Sequence, residues 1–158
     1  VNSLIEKRYP LFQLYLALRG QLMEILTDDD LSFRLENNPT LGALCREIGE
    51  VEYAYIQSFK SYKLDFSYRN DEPGLEGSVR QLSAWYEALD RELRAAIEAF
   101  SDDDLEKLRI DRGDGFAPPV PLQLEIYKEA LLIFCGKVSV YLKVMGKPLP
   151  KQWQHWIG

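Results

Sequence analysis

With 158 residues, 46% hydrophobic and 28% charged, the chain has the size and makeup of one globular domain, long enough to bury a core without disulfides or a structural metal. A formal charge of -6 and a pI near 4.9 exclude a broad phosphate-binding surface, because affinity for nucleic acid rests largely on Lys and Arg displacing condensed counterions. No apolar run approaches the roughly 20 residues that span a bilayer, and the opening Val1 to Arg8 does not read as a signal peptide, so the expectation is a cytoplasmic protein without membrane or nucleic-acid partners.

Apolar residues at Leu4, Ile5, Leu11, Phe12, Leu14, Tyr15, Leu18, Leu22, Ile25 and Leu26 recur near the helical period and predict a first helix from Ser3 to Leu26, kinked or split at Pro10. Asn38-Pro39 opens a second, with Asn capping free amides and Pro in the first turn; it runs to Tyr62 along a seam of Leu41, Leu44, Ile48, Val51, Tyr55 and Phe59. The third spans Ser78 to Phe100, with Leu82, Trp85, Tyr86, Leu89, Leu93, Ala96 and Ile97 on one side and a solvated Arg/Glu/Asp face opposite. The fourth starts near Pro121 and continues to Met145, where Gly146 and Pro148 end it. Its stretch Ala130 to Cys135 is apolar all round, which predicts the most buried helix of the set.

An internal echo divides the chain into two helix-pair repeats. Leu26-Thr27-Asp28-Asp29-Asp30-Leu31 follows the first helix, and Phe100-Ser101-Asp102-Asp103-Asp104-Leu105 follows the third. A hydroxyl residue before three aspartates caps a short turn whose exposed amides favour negative charge. We read these runs as structural, since a calcium loop of the EF-hand type needs alternating ligands, a central Gly and a terminal Glu. The links Leu31 to Asn37 and Glu106 to Val120 suit crossovers better than tight hairpins.

These features together resemble the DinB/YfiT-like helical bundles, a group that includes metal-dependent enzymes and thiol-dependent S-transferases. The resemblance rests on the first Asp run, on Asn38-Pro39-Thr40-Leu41-Gly42-Ala43-Leu44 with Glu52 beyond it, and on Gly136-Lys137-Val138-Ser139-Val140-Tyr141-Leu142 leading to Gly146 and Leu149-Pro150. It implies an all-α four-helix bundle filling residues 1–158 as a single domain, and a homodimer. It also implies a divalent metal held by one His on the second helix and a His-x-x-x-His pair on the fourth. In this chain those positions are Glu47, Ala130 and Phe134, and the only His is His155 in the tail. Two of three ligand positions thus lack a donor, and the expectation is a bundle without cofactor or metal.

Glu52 falls inside the apolar stripe beside Ile48, Tyr55 and Phe59, so it must be paired, hydrogen-bonded or protonated. It is either a satisfied structural acid or a general base or ligand anchor in a residual pocket with Glu47, Tyr55 and Glu129. Glu125 and Glu129, four apart, share a helix edge and with Glu47 and Glu50 form the alternative, a carboxylate-held divalent metal. Cys45 and Cys135 belong to no Cys-x-x-Cys pair and read as small core residues. Trp153 and Trp156 sit on one face of a terminal turn that folds back on the bundle or joins a dimer contact. The leading reading is a binding or interaction protein, homodimeric, with a small molecule as its ligand; the alternative is a divergent metal-dependent transferase or hydrolase.

Overall fold

In the computed structural model, which describes residues 1–158, the first apolar stretch is two helices, α1 (Ser3–Lys7) and α2 (Tyr9–Ile25). The break falls at Arg8, and Pro10 sits in the first turn of α2, where a missing amide donor leaves no bond unmade. The second long helix, α3 (Leu41–Ser61), starts later than Asn38-Pro39 suggests: Thr40 is its cap, accepting from the Ala43 amide at 3.0 Å. Pro39 stays outside the helix, where its carbonyl accepts the Tyr141 hydroxyl at 2.7 Å. Ser78 caps α4 (Val79–Glu98), the second Asp run forms α5 (Asp102–Lys107), and α6 (Val120–Val144) begins beside Pro121. Gly146, at φ 72°, closes α6 in a Schellman turn, with the Lys147 amide donating to Leu142 at 2.9 Å and the Gly146 amide to Lys143 at 3.1 Å. The tail is α7 (Lys151–Trp156). No helix is long and apolar enough to cross a membrane.

The two Asp runs do the same work twice. Thr27 and Asp30 exchange bonds through the Thr27 amide (2.8 Å) and the Asp30 amide (3.4 Å), as Ser101 and Asp104 do at 2.9 and 3.1 Å. The aspartate after each hydroxyl then reaches the other repeat: Asp28 accepts the Val79 amide that opens α4 at 2.9 Å, and Asp102 accepts the Ser3 amide that opens α1 at 2.7 Å. These carboxylates therefore cap helix starts, where the backbone dipoles favour negative charge.

The repeats interlock. Packing runs along the α2–α4, α2–α6, α3–α4 and α3–α6 seams, so the two long helices of one repeat lie across the diagonal of the bundle. This is why the links between them are crossovers. The core is continuous, and α7 covers one end with Trp153, fully buried, whose indole N–H donates to the Leu18 carbonyl at 3.0 Å. Trp156 packs on Tyr15 with ring centroids 4.8 Å apart. The apolar Ala130 to Cys135 stretch is not buried all round, however: Ile133 points into solvent at 60% exposure.

Close approach explains one motif glycine but not another. A side chain on Gly42 would collide with the backbone carbonyl of Glu76, whereas Gly136 has open space at the same place. Gly42→Ala should therefore destabilise the fold by about 1–3 kcal/mol through overpacking. Gly136→Ala should stabilise it by up to about 1 kcal/mol through helix propensity. Urea unfolding of the two variants checks both signs.

Candidate functional site

With α3 started by the Thr40 cap, Leu44, Ile48 and Val51 form a row toward α6, and Glu47 stands exposed at its edge. From α6, Ala130 and Phe134 face this row, being four residues apart and so on one helical face. With Ile133 and Lys137 they enclose a pocket of about 150 Å³. A hollow of about 330 Å³ continues along the seam past Leu35, Val140 and Tyr141, and another of about 380 Å³ opens under Phe66 and Arg69. Glu47 borders all three.

Its charges decide what this groove can hold. Arg46 is engaged by Glu76 at 2.6 Å, and Glu50 accepts the Asn70 amide at 2.7 Å. Glu47 and Lys137, on opposite walls, form no ion pair or hydrogen bond within the chain. For a divalent cation the donor set fails, because Glu47 offers one carboxylate while Ala130 and Phe134 offer nothing. Nowhere do three or more His, Cys, Asp or Glu side chains converge as metal ligands. The groove suits an apolar group flanked by a charge of either sign.

A second polar site lies in the core, built by all four long helices. Arg19 of α2, 1% exposed, meets Glu52 of α3 at 2.6 Å and Asp90 of α4 at 2.5 Å, and its guanidinium lies 4.4 Å from the Tyr86 ring centre. Tyr86 in turn donates to the Cys45 carbonyl at 2.6 Å. The Arg19–Glu52 contact is close but poorly aligned, and both Glu52 oxygens, with the hydroxyls of Tyr9 and of Tyr127 on α6, are buried without a hydrogen-bond partner. Burial pushes the Glu52 carboxyl up to about 8 against the pull of Arg19, and nearby Asp90 adds to the rise. Burial also opposes the charge on Arg19, but its anionic neighbours, Glu52 foremost, more than offset it.

The residues singled out in the sequence therefore do not share one pocket. Glu47 lines the groove. Glu52, five residues on, is turned about 140° away into the core. Tyr55 is buried and its oxygen accepts from Arg112 at 3.2 Å. Glu129 is exposed on α6 and Glu125 pairs with Lys128 at 2.5 Å, and neither belongs to a group of three or more ligands that could hold an ion. Cys45 and Cys135 are buried, and burial pushes both thiols up to about 12. His155 is exposed on α7. Sequence reading missed Arg19 and Asp90. Arg19 carried a signal, standing seven residues after Phe12 and three before Leu22 inside the apolar stripe; Asp90 looked like any acid of the solvated α4 face.

No family model matches the chain, and no curated protein does. Five solved chains match. Among them is the crystal structure of a DinB-like protein, YjoA, of Bacillus subtilis, at a TM-score of 0.66 and 17% identity over 86% of this chain and 90% of that one. At such an identity the likeness is one of fold: the chain has the all-α DinB-like fold.

The core cluster makes stability depend on pH. Because folding raises Glu52, the native state keeps a proton that the unfolded chain releases. Its contribution is complete below the ordinary value of 4.5 and is lost as pH rises through about 8. Urea unfolding at stepped pH should show stability falling across that window in the wild type and less so in Glu52→Gln. Arg19→Met removes the group that pulls the Glu52 carboxyl down, so the loss of stability with rising pH should extend to higher pH than in the wild type.

Proposed function

We propose that, on this DinB-like fold, the protein is a homodimeric binding protein whose α3–α6 groove accepts an apolar group in the place where the resemblance implies a metal. One observation carries the reading. Glu47, Ala130 and Phe134, on two different helices, line a single pocket, so the implied ligand positions converge in space while their chemistry has become mostly hydrocarbon. Leu44, Val51 and Phe134 would hold the apolar part of a small ligand, and Glu47 its charged end. The homodimer comes from the resemblance and from the apolar surface of α6.

Elemental analysis of tag-free protein, followed by thermal unfolding with nickel, zinc and manganese, tests the metal side. We expect no stoichiometric metal and no rise in Tm. Stoichiometric metal that Glu47→Ala removes would overturn the reading in favour of a transferase or hydrolase with carboxylate ligands. A thermal screen of small amphipathic molecules tests the binding side: at a hundredfold its Kd a true ligand adds about 2.7 kcal/mol to stability. Ala130→Trp, which fills the pocket, should abolish that gain.

A further inference from the structure

One edge of α6 carries a pattern that the bundle covers only in part: Ile126 is half-buried, and Ile133, Lys137 and Val140 border the groove while remaining open to solvent. Leu122, Ile126, Glu129, Ile133, Lys137, Val140 and Val144 follow one another at steps of four, three, four, four, three and four residues. At about 100° per residue they fall within an arc of about 80°, over a length of about 33 Å. Leu122, Ile133, Val140 and Val144 are 42%, 60%, 49% and 60% exposed. Glu129 and Lys137 divide these apolar side chains into a central Ile133 and two flanking groups.

The row reads alike from either end. About Ile133 the spacing is symmetric, the apolar positions map onto apolar positions, and the acid Glu129 maps onto the base Lys137. Both charges are exposed and unpaired within the chain, while Glu125, Lys128 and Lys143 of the same helix are engaged elsewhere. We infer that a second copy of this chain docks along α6, antiparallel and two-fold symmetric about Ile133, so that Glu129 of each protomer meets Lys137 of the other. The inference rests on the homodimer reading above and assigns its face and register.

Charge selects the direction. A parallel pairing in register would set Glu129 on Glu129 and Lys137 on Lys137, whereas the antiparallel one satisfies both pairs and flanks them with apolar layers. Leu122 then lies level with the partner's Val144, and Ile126 with the partner's Val140. Such a contact is isologous and closes at two copies, leaving no free end to polymerise.

Sedimentation of the full chain tests this, the monomer mass being 18.3 kDa. Wild type should run as a dimer. Glu129→Lys and Lys137→Glu each turn both pairs repulsive and should weaken self-association by about a hundredfold or more. Mixing those two variants, or joining them in one chain, should restore the dimer, and circular dichroism should find each variant folded because both side chains lie in solvent. A wild type that is monomeric at every concentration would overturn the homodimer reading and this inference together. A dimer indifferent to both reversals would leave the homodimer standing and overturn the α6 face. Weakening that mixing fails to rescue would overturn the antiparallel register.

Discussion

The buried contact between Arg19 and Glu52 constrains every long helix of this protein. A guanidinium 1% exposed has no water to fall back on, so each helix around it must present something the charge can accept. Glu52 arrives from α3, Asp90 and the Tyr86 ring from α4, and Tyr127 from α6. Sliding α2 by one turn, about 5.4 Å, would strand the charge among leucines. Hydrophobic packing alone tolerates such slips better than an ion pair does, so this cluster discriminates between registers even where it adds little net stability. Burial raises the Glu52 carboxyl within it, which links folding to proton uptake.

Interlocking of the repeats follows the same logic from the outside. Each Asp run caps its own turn and then the first helix of the other repeat, so neither half completes its amide bonds alone. Asn2 adds to this. Buried at the start of α1, it accepts the Ile5 amide and donates to the Ile97 and Phe100 carbonyls at the end of α4. Long helices that lie diagonally within one repeat are thereby tied across the bundle at their ends as well as at its centre.

Helix α6 serves three environments. Tyr127, Leu131 and Val138 fill the core, Ala130 and Phe134 wall the groove, and Ile133, Val140 and Val144 lie largely in solvent, the first two also bordering the groove. That is why its sequence is apolar on nearly every side and why its own periodicity is weak. On the proposed reading, loss of metal donors at the groove and an apolar outer stripe are two consequences of a surface given to binding.

Features that depend on near neighbours along the chain could be read from the residues alone. Four long helices, the split near Pro10, the Gly146 stop, the Asp-run repeat and the incompatibility of Ala130 and Phe134 with metal ligation all follow from local periodicity, capping and side-chain chemistry. The Thr40 start was within reach of the same reasoning, since Thr caps as Asn does, but Asn-Pro gave the stronger local signal. Which charge meets which depends instead on how the helices pack. Arg19 and Asp90 are 71 residues apart, and nothing local marks Asp90 as the acid of α4 that turns inward. The exposure of Ile133 was likewise invisible, because an apolar side chain looks the same to its sequence neighbours whether a helix covers it or water does. Burial and pairing are both properties of faces brought together from distant parts of the chain.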